Sequence, residues 1–173
     1  MNTTNVKILI GVDGSQPSDW ALEVGASLAK RMKGQVTLVH TFLPPGVGVS
    51  EGAVLPVEDL ISPLKVAGEA VLKEAARRLP KEIPLCTVLR MAPAAMEIVA
   101  QARRIGADLI VMGSRGRGRW AHFILGSTAE SVVRDAPCPV VTVSHDPSVA
   151  AVATGAGRIE ETAMAVAPTE VAR

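Results

Sequence analysis

Glycine, arginine and hydroxyl residues are concentrated in one stretch of the chain, GSRGRGRWAHFILGSTAE, which spans residues 113–130. A polyphosphate needs backbone N–H groups that approach it without a Cβ in the way, and it gains from the positive end of a helix. Gly113 and Gly116 can supply such N–H groups, and arginines add charge. The further candidates are Gly126, Ser127 and Thr128, at the start of a predicted helix, and Arg115, Arg117 and Arg119. The stretch is therefore predicted to wrap a polyphosphate.

A carboxylate follows the first apolar run of the chain. Asp13, in Asp13-Gly14-Ser15, comes directly after VKILIGV and can accept hydrogen bonds from ribose hydroxyls or approach a metal on the phosphates. The alternative is that Asp13 only caps the helix that follows. The glycine spacing alone is a weak signal, because GxxxxGK(S/T) does not occur and Gly11-Val12-Asp13-Gly14 does not match GxGxxG.

Apolar periodicity predicts the elements that position these residues. Strands are predicted at residues 6–12, 35–42, 85–90, 107–112 and 139–144, and helices at residues 16–33, 58–79, 93–105 and 127–135. The inner stripe of the second helix is predicted to be Leu60, Leu64, Ala67, Val71, Ala75 and Leu79. Regular alternation with continuous apolar strands is typical of an α/β fold with a doubly wound, mostly parallel sheet and helices on both faces.

The ligand crevice of such a sheet lies beyond the carboxyl ends of the strands, where the strand order reverses. If the order is 3-2-1-4-5, the reversal falls between the first and fourth strands. The segments that leave those two strands are Asp13-Gly14-Ser15 and the glycine-rich stretch that begins at Gly113. The connection 113–125 also exceeds the ~2 to 6 residues usual for such joints, which favours a functional loop. The two candidate regions are thus predicted to meet.

Composition bounds the class of protein. The chain has 173 residues, 48% of them hydrophobic and 20% charged, with a net charge of +1, which indicates one ordinary globular domain. Two Trp, two Phe and no Tyr argue against single-stranded nucleic acid bound by base stacking. No run approaches the ~20 apolar residues of a membrane span, and the N-terminus lacks a signal-peptide pattern, so we expect a cytoplasmic protein. Cys86 and Cys138 are expected to be buried thiols.

The motifs KILIGVDGS, VHTF, DLIVMGSRGRG and ILGSTAESVVRDAPCPVVTV, with the spacing G-2x-G-9x-G-S/T, resemble those of the universal stress proteins, in their ATP-binding branch. The resemblance covers about residues 6–144, so we expect a domain at 1–145 and a C-terminal tail at 146–173. It implies an adenine nucleotide alpha hydrolase-like fold, a single five-stranded parallel sheet of order 3-2-1-4-5 with four helices. It also implies a homodimer and bound ATP, with or without Mg²⁺ or Mn²⁺.

The resemblance also assigns roles to residues of this chain. It implies that Asp13 contacts the ribose, that the backbone at Thr41 reads adenine, and that Val140–Val143 forms the dimer edge. The residues implied to lie around the nucleoside are Val12, Asp13, Thr41, Met112 and Gly113. Those implied to surround the phosphates are Ser114, Arg115, Gly116, Gly126, Ser127 and Thr128. Met91-Ala92-Pro93 stands where many members have Gly-x-Pro, which predicts a bulkier pocket wall.

Three function classes follow. The first is an ATP-binding regulatory or stress-response protein with an unidentified protein partner; its hydrolysis is expected to be slow at most, because no group that would orient water is visible. The second is a chaperone-like or scaffolding protein with a vestigial site. The third is an enzyme that uses the nucleotide, such as an adenylyl-transferring relative. The histidines at 40, 122 and 145 lack metal-ligand spacing, and neither nucleic acid nor a membrane is an expected partner.

Overall fold

The computed structural model describes residues 5–44, 57–114 and 125–144. Five strands alternate with four helices in that part of the chain. The strands are β1 (Lys7–Gly11), β2 (Gln35–Phe42), β3 (Leu85–Met91), β4 (Leu109–Gly113) and β5 (Val140–Val143). The helices are α1 (Gln16–Met32), α2 (Val57–Arg78), α3 (Ala94–Ile105) and α4 (Ser127–Asp135). The predicted elements are all present, and their ends differ by at most two residues.

The strands form one parallel sheet in the order β3-β2-β1-β4-β5. This confirms the predicted fold class and the predicted strand order. Ile10 of β1 is paired with Leu38 of β2 on one side and with Val111 of β4 on the other. The order reverses at β1, so the crevice expected at a switch point lies between the carboxyl ends of β1 and β4.

Each face of the sheet has its own apolar core. Ile8 and Ile10 of β1 pack toward α1 and α2, whereas Leu9 between them packs toward α3 and α4. Successive side chains of a strand point to opposite faces, so a strand covered on both sides must be apolar throughout. All three side chains have no exposed surface, which explains why β1 is a continuous apolar run.

Helix α1 is held close to the sheet. Ser15 is its N-cap and Lys33 ends it in the left-handed conformation, with φ at 50°. Gly25 faces the sheet, where a Cβ would lie 3.0 Å from Cγ1 of Ile10 and closer still to its Cδ1. The absent side chain therefore lets α1 lie against β1, and this contact sets where the start of α1 meets the crevice.

The predicted inner stripe of α2 is partly wrong. Ala75 and Leu79 are buried as predicted, but Ala67 is exposed and Gly68 is buried in its place. A Cβ on Gly68 would lie 2.7 Å from Cδ1 of Leu89, so the helix lies close to the sheet at this glycine. Periodicity over apolar residues missed this, because glycine carries no apolar side chain.

The expectation for the cysteines is also wrong in part. Cys86 is exposed and Cys138 is half-buried. Strand β3 is an edge strand, and its first residues, from Leu85 to Thr87, are exposed. An apolar run in sequence does not distinguish an edge strand from a central one, which is why Cys86 was expected to be buried.

Several predicted features lie outside the described residues. They are Arg115, Gly116 and the arginines that follow, His122, His145 and the tail at 146–173. Within the described residues, no helix combines the length and apolar character that crossing a membrane requires.

Candidate functional site

A cavity of about 700 Å³ opens at the carboxyl ends of β1, β2 and β4. Its volume lies within the ~300 to 1,000 Å³ typical of small-molecule sites. Nine of the eleven predicted site residues line it; Arg115 and Gly116 are outside the described residues. The nine are Val12, Asp13, Thr41, Met112, Gly113, Ser114, Gly126, Ser127 and Thr128. Residues from opposite ends of the sequence thus share one wall.

The end of β1 is tied to β2 by two hydrogen bonds. The Val12 N–H donates to the Val39 carbonyl at 2.9 Å, and Nδ1 of His40 lies 2.7 Å from the Val12 carbonyl oxygen. Since a carbonyl only accepts, Nδ1 carries the proton of this bond. His40 therefore fixes the last peptide before Asp13. No pattern in the sequence indicated this role.

Asp13 begins a tight turn into α1. Its Oδ1 accepts from the Ser15 N–H at 2.9 Å and from the Ser15 hydroxyl at 2.6 Å. Gly14, between them, has φ at 74°, a conformation that glycine adopts without strain. The N-cap of α1 is Ser15, whose side chain accepts from the Ser18 N–H. The alternative that Asp13 itself caps α1 is therefore wrong.

The end of β4 and the start of α4 are joined directly. Ser114, which is buried, donates its N–H to the Val143 carbonyl at 2.8 Å. The Gly126 N–H in turn donates to the Ser114 carbonyl at 2.8 Å. Ser114 and Gly126 are consequently adjacent in the wall. This corrects one expectation: the N–H of Gly126 is bonded to the protein and is not offered to a phosphate.

The N–H groups at the start of α4 remain as donors. Glu130 makes the first intrahelical bond, to the Gly126 carbonyl at 2.9 Å, so the N–H groups of Ser127, Thr128 and Ala129 precede it. Gly126 is the N-cap and makes no side-chain cap bond. These amides and the positive end of the helix lie in the cavity wall, where they favour an anion.

A further, apolar part of the wall was not predicted. It comprises Gly11, Val39, Ala94, Ile98, Leu125 and Ala129. Gly11 keeps the floor open, because a Cβ there would lie 3.3 Å from Cδ1 of Ile98. A flat aromatic ligand group suits such a surface. Apolar wall residues have the same sequence signature as core residues, which is why these were missed.

The position of Met91 settles one further expectation. Met91 is 53% exposed and does not line the cavity, so the predicted bulkier wall is wrong.

Ser18, His40 and Glu130 line the cavity and were not among the predicted site residues. Among the described residues, no group of three or more His, Cys, Asp or Glu is placed to hold a metal ion. The wall thus offers main-chain donors, hydroxyls, a carboxylate and an apolar surface.

The chain was compared with known proteins. Residues 5–144 match the model of the universal stress protein family. A curated universal stress protein of Methanocaldococcus jannaschii is 36% identical over 143 residues, covering 79% of this chain and 81% of that protein. A solved universal stress protein from Lactobacillus plantarum has a TM-score of 0.65 at 25% identity, covering 80% and 97% of the two chains. The structure of the Archaeoglobus fulgidus protein in complex with dAMP has a TM-score of 0.57 at 24% identity, covering 80% and 98%, and that likeness shows the fold alone.

Proposed function

This chain belongs to the universal stress protein family, and from that premise and the cavity we propose that it is an ATP-binding regulatory protein. The observation that carries the proposal is one cavity wall with three parts: amides at the start of α4, the Asp13 carboxylate, and an apolar surface. These parts match the three parts of an adenine nucleotide, which are phosphates, ribose hydroxyls and a flat base.

The phosphates are assigned to the start of α4. The N–H groups of Ser127 and Thr128 have no acceptor within the helix, so they can donate to an anion. Their hydroxyls add further donors. Arg115 and Gly116 are proposed as further phosphate contacts from the segment that leaves Ser114. Mg²⁺ or Mn²⁺ on the phosphates would add to the neutralisation of their charge.

The nucleoside is assigned to the other end of the cavity. Asp13 accepts from the ribose, and the base lies between the Met112 and Ile98 side of the wall and the backbone at Thr41. The A. fulgidus protein of the same fold, solved with dAMP, supports an adenine nucleotide as the class of ligand. Val12 and Gly113 complete the contacts on the two central strands.

Binding rather than turnover is the proposed role. Hydrolysis requires a group that orients the attacking water next to the terminal phosphate. His40, which lines the cavity, instead uses Nδ1 to hold the Val12 carbonyl. We therefore expect slow hydrolysis at most, with occupancy of the site as the signal. The protein is further proposed to be cytoplasmic and homodimeric through β5, with a domain at 1–145 and the tail at 146–173 outside it.

The test is direct binding of ATP to the wild type and to Gly126→Val. Gly126 has φ at −75° and ψ at 154°, which valine also adopts, so the change adds bulk to the cavity wall without backbone strain. We expect ATP affinity to fall about tenfold or more, as a loss of phosphate contacts implies. Val133→Ala, on the exposed side of the same helix, is the control. Wild-type protein that binds no ATP, or equal affinity in all three proteins, would overturn the proposal.

A further inference from the structure

Ser15 donates two hydrogen bonds to one atom of the proposed ribose contact. Its N–H and its hydroxyl both reach Oδ1 of Asp13, at 2.9 and 2.6 Å. We propose that Ser15 is a positioning residue that makes the site select nucleotides that carry ribose hydroxyls over those that lack them, by fixing the Asp13 carboxylate. The inference rests on the proposed function and adds a specificity determinant to the same site.

The geometry leaves one carboxylate oxygen for the ligand. A carboxylate oxygen accepts about two hydrogen bonds, so the two donors of Ser15 fill Oδ1. An O–H···O⁻ bond of this length is charge-assisted and stronger than a neutral one. Asp13 lines the cavity, and its orientation is therefore set by Ser15 before a ligand arrives. Oδ2 is the atom that reads a ribose hydroxyl.

The main chain of Asp13 is fixed independently of its side chain. The Asp13 N–H donates to Oγ of Ser18 at 3.1 Å, and Ser18 is 4% exposed. The preceding carbonyl, of Val12, is held by His40. With the backbone fixed from both sides, the freedom that remains is rotation of the carboxylate, and Ser15 removes it. Preorganised acceptors lose less entropy on binding than mobile ones.

Ser15 also has a second, purely structural task, which the experiment must separate. Its Oγ accepts from the Ser18 N–H at 3.4 Å as the N-cap of α1. Aspartate is an equally good N-cap but has no hydroxyl proton to donate. Ser15→Asp therefore keeps the cap and loses the hydroxyl bond to Asp13, Ser15→Thr keeps both, and Ser15→Ala loses both; the backbone N–H bond to Asp13 remains in every variant.

The measurement is the ratio of dissociation constants for 2′,3′-dideoxy-ATP and ATP in each variant. We expect a wild-type ratio on the order of ten or more, as for a hydrogen bond to a charged group. The ratio should stay high in Ser15→Thr and fall toward one in Ser15→Ala, Ser15→Asp and Asp13→Ala. The added negative charge of Ser15→Asp repels both triphosphates alike and cancels in the ratio. Gln16→Ala, at the exposed first residue of α1, should match the wild type.

The results of this experiment distinguish failure of the inference from failure of the proposed function. A wild-type ratio retained in Ser15→Ala and Ser15→Asp would overturn the inference and leave the proposed function intact. Equal loss of affinity for both nucleotides, with the ratio unchanged, would show that Ser15 is only a cap. A wild type that binds neither nucleotide would overturn the proposed function and this inference with it. Thermal unfolding of each variant shows whether it is folded when it is measured.

Discussion

At the scale of single residues, several polar groups of the cavity wall are held in place by a hydrogen bond with another residue. The Val12 carbonyl is held by His40, Oδ1 of Asp13 by Ser15, and the Gly126 N–H by the Ser114 carbonyl. Groups held in this way stay in place whether or not a ligand is present. Binding therefore orders few side chains, and the entropy cost of ordering is small.

The two cysteines give a residue-scale prediction about reactivity. Burial raises the pKa of the Cys138 thiol, and the negative charge of Asp108 raises it further. The thiolate is the nucleophile, so a raised pKa slows alkylation, whereas Cys86 is exposed. At pH 8 we expect iodoacetamide to modify Cys86 several-fold faster than Cys138. Peptide mass spectrometry over a time course measures both rates.

Unfolding the protein in urea is the control for that comparison, because it removes the burial of Cys138 and brings the two rates together. Faster alkylation of Cys138 than of Cys86 in the folded protein would contradict the assigned environments. The sequence placed both thiols in apolar runs and so could not distinguish them. The difference arises because β3 is an edge strand and Cys138 lies between α4 and β5.

Site residues could be predicted from the sequence where a polar residue stands at the end of a predicted strand or the start of a predicted helix. Asp13 and Ser127 were identified because polar residues follow predicted strands or begin predicted helices, and both line the cavity. Ile98 was missed because an apolar side chain at a helical position looks the same in a core and in a ligand wall. His40 was missed because its role depends on a bond to a backbone carbonyl, which no sequence pattern encodes.

At the scale of elements, the strand order and the helix positions were predictable. How closely each helix approaches the sheet was not. Alternating apolar runs and helical periodicity sufficed for the elements and for a parallel sheet, and the resemblance to the universal stress proteins implied the order β3-β2-β1-β4-β5. Close approach depends on where glycine stands, as at Gly25 against β1 and at Gly68 against Leu89. Glycine counts for little in an apolar pattern, so the buried stripe of α2 was placed on Ala67 by mistake.

Strand β5 carries the prediction about assembly. The Val143 and Pro139 carbonyls accept from β4, and because residues alternate along a strand, the N–H of Thr142 points to the outer edge. Within the described residues this edge has no partner strand. Thr142→Pro removes the outward donor, and proline is tolerated on an edge. We expect monomers by sedimentation velocity if β5 joins two copies.

Thr142→Val is the matched control, since it keeps the N–H and should leave the dimer intact. A charge at Val141 would be a poorer probe, because that side chain packs against the core and the monomer itself would be destabilised. A dimer that survives in Thr142→Pro would show that the copies meet elsewhere. The edge strand β3, whose ends Leu85 and Met91 are exposed, would then be the next surface to test.

At the scale of the whole molecule, the fold turns distant residues into one binding surface. Asp13 and Ser127 are far apart in sequence, and they meet because parallel strands end at the same edge and the order reverses at β1. Helix α4 brings its positive end to that edge, while α3 supplies Ile98 from the same face of the sheet. We propose that the polar groups of this surface bind the phosphates and that its apolar residues bind the base.

The most direct test of a nucleotide bound in this way is a titration of the ¹⁵N-labelled protein, followed by amide chemical shifts, with ATP and separately with adenosine. We predict that the amides of Ser127, Thr128 and Ala129 shift with ATP and hardly at all with adenosine. Val12 and Met112 should shift with both ligands, because they lie beside the nucleoside. Saturating ATP that leaves the three α4 amides unmoved would contradict the proposed binding mode.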